Sequence, residues 1–397
     1  MFFIIFLFSG IFKLSLNFPI DITILFFGLT LLGTLKRFIQ KPLIPKWWFI
    51  PLGFITSLMV IVLLSIILHP TDSASISKLT DFILLTIPTI VLPLIFIQDK
   101  SSLKRLLASI ALLSTVLSVF ALPQVWSGEG LFIGFNEGNY MGLARLTGLG
   151  FIALLYFFIN SKSKSKHLIL IPTLIVAVVL ISTGSRMPLI ALAIASLYLL
   201  SKVFIYDDRS IYIRKKAIYI VFTIIALATI LYILLMNGYF KTILFRFEVL
   251  FEDGVSSSSQ GRTNRYEAAL DMWNQNFILG GGFGSFGKYY EGSGIANYAH
   301  NIVLEFLSEL GLLGGLWLII FLAFIIISAY KGIKNGDVTL NTTIFIMFIY
   351  FFLNALISGN INDNRALFMF GIMVIAALYK SRVYRKEYVN NNLIITT

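Results

Sequence analysis

"NIVLEFLSELGLLGGLWLIIFLAFIIISAY", residues 301–330, decides the fold class. From Leu310 to Tyr330 it carries no charged side chain. As a helix rising about 1.5 Å per residue, such a run outspans the hydrocarbon core of a bilayer, about 30 Å thick. Backbone polar groups at that depth are satisfied only within a helix or a closed barrel, so the stretch reads as a membrane-spanning helix. His300 and Asn301 stand just where a polar loop turns into this helix, and the whole chain of 397 residues has 3 histidines.

Outward from this helix, comparable runs recur along the chain: 2–16, 20–35, 47–68, 82–97, 106–122, 143–160, 168–183, 188–205, 217–236, 302–329, 341–358 and 366–380. The first two could form one re-entrant pair. Composition agrees, with 58% hydrophobic and 13% charged residues against about a quarter charged in soluble domains. The expected fold is an all-α polytopic integral membrane protein of about 12 spans. It forms a single transmembrane domain over 1–397 with one large outer loop, 237–301, carrying short surface helices. The opening "MFFIIFLFSGIF" lacks a basic flank and a small-residue cleavage site, so it reads as a retained span. Cysteine is absent, which excludes disulfide, zinc-thiolate and thiol chemistry.

Connectors alternate in charge. "KRFIQKPLIPK", "QDKSSLKR", "SKSKSKH", "KVFIYDDRSIYIRKK", "KGIKNG" and "KSRVYRKE" hold 21 of the 31 Lys and Arg, which places them and both termini in the cytoplasm. The net charge of +12 is mostly of this origin and is no sign of nucleic-acid binding. The outer side keeps Lys13, Lys78, Arg145, Arg186, Lys241, Arg246, Arg262, Arg265, Lys288 and Arg365. Six of these ten are arginine, against six of the 21 inside. A planar guanidinium suits bidentate binding of phosphate or carboxylate. For Lys241 and Arg246 pairing with nearby acidic residues is the simpler reading.

Within the long loop, "NRYEAALDMWNQNFIL" places Tyr266, Ala269, Leu270 and Trp273 at helical spacing, as in an amphipathic helix on the membrane surface. Arg262 and Arg265 fall at the start of that helix, where free N–H groups attract anions, and could hold a diphosphate or pair with Glu267 and Asp271. "GGFGSFG", 281–287, has the spacing of a dinucleotide loop but lacks a preceding strand, and reads instead as a glycine turn for close backbone packing. "STGSRMPL", 182–189, fixes Arg186 at a two-helix corner near the hydrocarbon edge. Glu309 lies about 13 Å into its helix and needs a partner, for which Arg365 in "NINDNRALF" is a candidate. His300 reads either as a polar cap or as a general base towards a sugar hydroxyl. No carboxylate pair has glycosidase spacing, and neither H-E-x-x-H, a phosphate-cradling loop nor an Asp-rich metal motif is present, so metal-independent chemistry without a cofactor is expected.

"GR" in "GRTNRYEAALDMW", "LGGGFGSF", "HNIVLEFLSELGLLGGL" and the upstream "TGSR" together resemble the O-antigen ligase and polymerase superfamily. "RLTG" at 145–148 is a weaker feature of the same kind. The resemblance implies a GT-C-like membrane glycosyltransferase. Its donor would be an undecaprenyl-diphosphate-linked glycan, used at the outer face of a bacterial inner membrane beside a glycan acceptor and membrane lipid. A chain-length regulator and a flippase would be pathway partners. Carried onto this sequence, Arg186 and Arg262 would bind the diphosphate and His300 would activate or orient the acceptor hydroxyl. Arg265, Arg145, Tyr266 and Asn301 would help hold diphosphate or glycan, and Glu309, Glu305 and Arg365 would orient the site. The loop departs from the family pattern in two ways: Tyr266 stands where tryptophan is common, and no proline precedes the glycine turn.

Three activities fit these residues: a polymerase extending lipid-linked repeat units, a ligase moving the glycan to lipid A–core or protein, and a transporter or flippase. The high Phe and Ile content and the divergent loop favour the polymerase. The absence of paired interrupted helices argues against the transporter.

Overall fold

Helices follow one another along the chain because the apolar runs are long and their connectors short. In the computed structural model the described residues are 1–12, 20–40, 45–97, 99–127, 133–134, 139–161, 164–201, 204–207, 210–213, 229, 232–233, 236–238, 257–292, 297–335 and 338–377. In order they form α1 (Phe2–Leu7), α2 (Ile22–Gln40), α3 (Phe49–Leu68), α4 (Ser73–Asp81), α5 (Ile87–Phe96), α6 (Lys100–Ser127) and α7 (Tyr140–Asn160). Then come α8 (Leu170–Ser182), α9 (Arg186–Ser201), a hairpin of β1 (Phe204–Asp207) and β2 (Ser210–Ile213), α10 (Ser257–Gln275), α11 (Phe286–Glu291), α12 (Ile302–Asn335), α13 (Val338–Ala355) and α14 (Arg365–Ala377).

Among the described residues seven helices are long and apolar enough to cross a membrane: Ile22–Gln40, Lys46–Leu68, Ser73–Phe96, Lys100–Val125, Tyr140–Asn160, Ile302–Lys334 and Val338–Ala355. Three shorter apolar helices, His167–Ser182, Arg186–Leu197 and Arg365–Ala377, match three further expected spans. The protein is therefore an all-α multi-pass membrane protein. One local departure is the antiparallel hairpin, which pairs Phe204 with Ile213 and Asp207 with Ser210 inside the basic connector 202–216. The expected span 217–236 lies mostly outside the described residues, as do Lys13, Lys241 and Arg246. α1 has only 6 residues and breaks into a 3-10 turn at Ser9–Ile11, too short to cross a membrane.

The expected span 82–97 begins earlier. α4, a π segment (Phe82–Thr86) and α5 form one apolar helix from Ser73 to Phe96. Asp72 caps its start by accepting the Ser75 N–H at 2.8 Å, and this bond holds the Asp72 carboxyl below the usual carboxylate range. Lys78, read from sequence as an outer connector residue, consequently sits inside a helix.

The chain packs as two compact units, residues 1–33 with 99–254, and residues 34–98 with 255–397. In the first, α6, α7 and α8 pack together and α9 lies against α7 and α8. In the second, α12 is central and packs on α3, α10, α11 and α13. Its core is an aromatic column: Trp317 stacks on Phe321 at 4.9 Å and on Phe306 at 5.8 Å, with Phe54 and Phe368 at its edges. The indole N–H of Trp317 donates to Ser57 Oγ at 2.9 Å, so the buried ring leaves no donor unmet.

Candidate active site

α12 is interrupted one third of the way along, at Gly311 (φ 64°, ψ −157°), a backbone conformation open essentially to glycine alone. The interruption frees backbone groups within a membrane-spanning segment, where each would be costly unmet. The segment 277–282 fills the gap. Gly281 N–H donates to Ser308 O at 2.8 Å and Gly282 N–H to Glu309 O at 3.2 Å, while Leu312 N–H donates to Phe277 O at 2.9 Å. Contact is so close that a Cβ on Gly280 would lie 2.4 Å from the Glu309 carbonyl carbon, and one on Gly311 would lie 2.4 Å from Gly280 N. The "GGFGSFG" stretch is thus a backbone-packing turn, and what it packs against is the broken helix.

Beside this turn lies a buried ionic cluster. Lys78 Nζ donates to Glu309 Oε2 at 2.6 Å and to Glu305 Oε1, and lies 4.9 Å from the ring centre of Phe283. Gly284 N–H donates to Glu309 Oε2 at 2.9 Å and Ile361 N–H to Glu305 Oε1 at 3.2 Å. Both glutamates are fully buried. The partner of Glu309 is therefore Lys78, in place of the expected Arg365. Sequence could not choose, because the partner lies more than two hundred residues away and was assigned to a loop. Arg365, half-buried, lies within the fields of Asp363 and Asp81.

Asn301 is the N-cap of α12. Its Oδ1 accepts the N–H groups of Val303 at 2.9 Å and Leu304 at 3.2 Å. Burial raises the Tyr266 phenol above its ordinary value. With capping done by its neighbour, His300 is released from that task. It adopts φ 57°, the one positive φ of a non-glycine among the described residues, at a cost of about 1–2 kcal/mol. Its ring lies 4.3 Å from that of Tyr298, and its Nδ1 is buried without a hydrogen-bond partner among the described residues. Burial, then the charges of Arg265 and Arg262, push the imidazole down to about 4, while Asp363 acts in the opposite sense. At neutral pH the ring is an uncharged hydrogen-bonding group.

The two loop arginines differ. Arg265 is held: Nε donates to Asn297 Oδ1 at 3.3 Å, Nη1 donates to Gly261 O at 2.8 Å, and the guanidinium lies 5.2 Å from the Tyr290 ring centre. Arg262 has no hydrogen bond or ion pair among the described residues, and neither Glu267 nor Asp271 pairs with either arginine. α10 begins at Ser257, five residues before Arg262, so the expected help from a helix N-terminus is removed. The buried stripe of α10 is also displaced from the expected one. Ala269 and Met272 pack on Phe286 and Ala299, whereas Leu270 is exposed.

The second unit therefore brings together Arg262, Arg265, Tyr266, His300 and Asn301, with Glu305, Glu309 and Lys78 one turn further along α12. Arg186 and Arg145 belong to the first unit. Arg186 opens α9 after the turn Thr183–Ser185, and Arg145 lies in the second turn of α7; both are half-buried. Sequence reading missed Lys78 and Asp363. The one available signal was that carboxylates placed inside a membrane helix, Glu305 and Glu309, call for a cationic partner.

Residues 171–321 match a family model described as O-antigen ligase, a segment that runs from α8 to the aromatic column of α12 and takes in both Arg186 and His300. No curated protein matches the chain. The match supports an O-antigen ligase- or polymerase-type membrane glycosyltransferase activity in general. On that match and the motifs it contains, residues 171–321 are similar to the O-antigen ligase family.

Proposed function

We propose that this protein is a polymerase that transfers a growing glycan from undecaprenyl diphosphate to the next lipid-linked repeat unit at the outer face of a bacterial inner membrane, with both termini in the cytoplasm. The observation that carries the reading is the pairing of a guanidinium, Arg262, with a neutral histidine whose Nδ1 is buried, neither of them bonded among the described residues. Such a site suits an anionic leaving group and a hydroxyl acceptor. As the bond from the anomeric carbon to the diphosphate breaks, the electron pair leaves with the diphosphate, and Arg262, supported by Arg265, stabilises that charge. The acceptor oxygen forms the new glycosidic bond while its proton passes to His300 or, through it, to water.

Electrostatics favour this order of events. Arg262 and Arg265 disfavour an imidazolium while the site is empty. A diphosphate seated between them offsets their field and raises the proton affinity of His300 when the acceptor arrives. The energy resides in the activated diphosphate, so the reaction needs no nucleotide to drive it. Arg186 and Arg145 are assigned to the donor by family resemblance alone. Tyr266 and Asn301 are assigned to the glycan by family resemblance.

The ligase reading shares donor and residues and differs in acceptor, and the matched family description favours it. Purified protein given lipid-linked repeat units should build polymer, and Arg262→Ala or His300→Ala should slow it at least roughly 100-fold. Normal polymer from both variants would sink the assignment. Lipopolysaccharide from a deletion strain separates the readings: one repeat on core means polymerase, and bare core means ligase.

A further inference from the structure

We propose that Lys78 is a positioning residue for the transfer reaction: through Glu305 its ammonium fixes both the start of α12, which carries His300, and the 360–364 corner, which carries Asp363. Glu305 Oε1 is shared between Lys78 Nζ and the Ile361 N–H, so one carboxylate oxygen ties α4, α12 and the corner together. Glu309 Oε2 is shared in the same way between Lys78 Nζ and the Gly284 N–H, which ties in the glycine turn. The corner is held to α4 a second time, because Asn362 Nδ2 donates to Lys78 O at 2.9 Å and Asn362 Oδ1 accepts from Thr86 Oγ1 at 2.8 Å. Thr86 ends the π segment that follows α4, and π segments recur at functional positions in helices.

The cluster is sensitive to its cation. Glu305 Oε2 and Glu309 Oε1 are buried without hydrogen-bond partners among the described residues, so Lys78 is the one cation that both carboxylates touch. Without it two like charges face each other in a low-dielectric interior, and the segments they hold move apart. His300 would register that movement. The charged groups that face it are Arg262 and Arg265 on α10 and Asp363 on the corner, and the last acts against the other two. Shifting the corner or the helix start changes that balance and misplaces the acceptor hydroxyl.

The role in catalysis rests on the glycosyl-transfer reading, whereas the effect on His300 does not. The test uses the full-length protein in nanodiscs. The single variant Lys78→Met strands two carboxylates and should fold poorly. The double variant Lys78→Met/Glu305→Gln keeps the net charge of the cluster and leaves Glu309 with Gly284; the triple variant that adds Glu309→Gln removes all three charges. In whichever of these folds with wild-type thermal stability, the His300 resonance, assigned with His300→Gln, should titrate on the order of one pH unit from its wild-type midpoint. Turnover should fall roughly 10- to 100-fold with little change in donor KM, and Lys78→Arg should restore most of it. A folded double or triple variant with unchanged His300 titration and unchanged turnover would overturn the proposal. So would Lys78→Arg behaving no better than Lys78→Met. Wild-type protein that transfers no glycan to any acceptor defeats the functional reading instead, and the titration still decides the place of Lys78.

Discussion

Two polar clusters lie along the same stretch of α12, and they are built on opposite terms. Around Lys78, one cation and two carboxylates are buried, mutually bonded and reinforced by the N–H groups of Gly284 and Ile361. Around His300, the guanidinium of Arg262 and the imidazole Nδ1 carry no bond among the described residues, although His300 adopts a conformation that costs energy to hold. Each charged group around Lys78 is bonded through at least one atom, although Glu305 Oε2 and Glu309 Oε1 have no partner among the described residues, and bonded charges of this kind hold a fold together. Groups kept unsatisfied beside them have to be maintained by the first kind, and they are where a ligand can bind.

That contrast breaks most severely at the glycine turn. Gly311→Ala or Gly280→Ala would force a Cβ into backbone at 2.4 Å and into a conformation costly for any other residue, so the loss of stability should reach several kcal/mol. Thermal unfolding in detergent with wild-type stability for both variants would mean the turn is not packed against the broken helix. Arg262→Ala should show the reverse pattern. Stability should stay within about 0.5 kcal/mol of wild type, while turnover falls roughly 100- to 1,000-fold, as expected when one group stabilising developing charge is lost. Arg265→Ala, which removes bonds to Asn297 and Gly261, should lower both. If the two arginine variants prove indistinguishable, the division between held and uncommitted arginine fails.

Asn301→Ala tests the cap. Loss of its bonds to Val303 and Leu304 should cost about 1 kcal/mol of stability. The smallest effect concerns pH. The imidazole of His300 is pushed from 6.5 to about 4 in the folded protein, so the unfolded chain binds more protons between those values. Its contribution to stability is present above pH 6.5 and is lost as pH falls towards about 4. A titration comparing wild type with His300→Gln should find that difference only in this acidic window; identical profiles would mean the ring is not held neutral.

Much of this was legible in the residues themselves. Apolar runs such as 302–329 dictate membrane helices, because nothing else satisfies a backbone in hydrocarbon, and the expected spans 47–68, 143–160 and 341–358 each met a helix. The motifs around Arg262, Gly281 and His300 were readable as one site because they are close in sequence. Other features were not readable. Lys78 looked like a loop cation because helix boundaries near polar residues such as Ser73 and Ser77 are set by packing and capping, not by hydropathy. Arg365 looked like the partner of Glu309 for want of any local signal about which distant charge would meet it.

The sequence by itself determined the membrane class, the helices, and the kinds of chemical groups set at the mouth of α12, since hydrophobicity and charge act locally along the chain. Tertiary structure alone decided that α12 breaks at Gly311 to receive the glycine turn, that Asn301 rather than His300 caps it, and that Lys78 is the cation shared by the two glutamates. Those outcomes depend on backbone and side chains meeting across long stretches of chain, where burial makes each unmet polar group costly and so selects one arrangement.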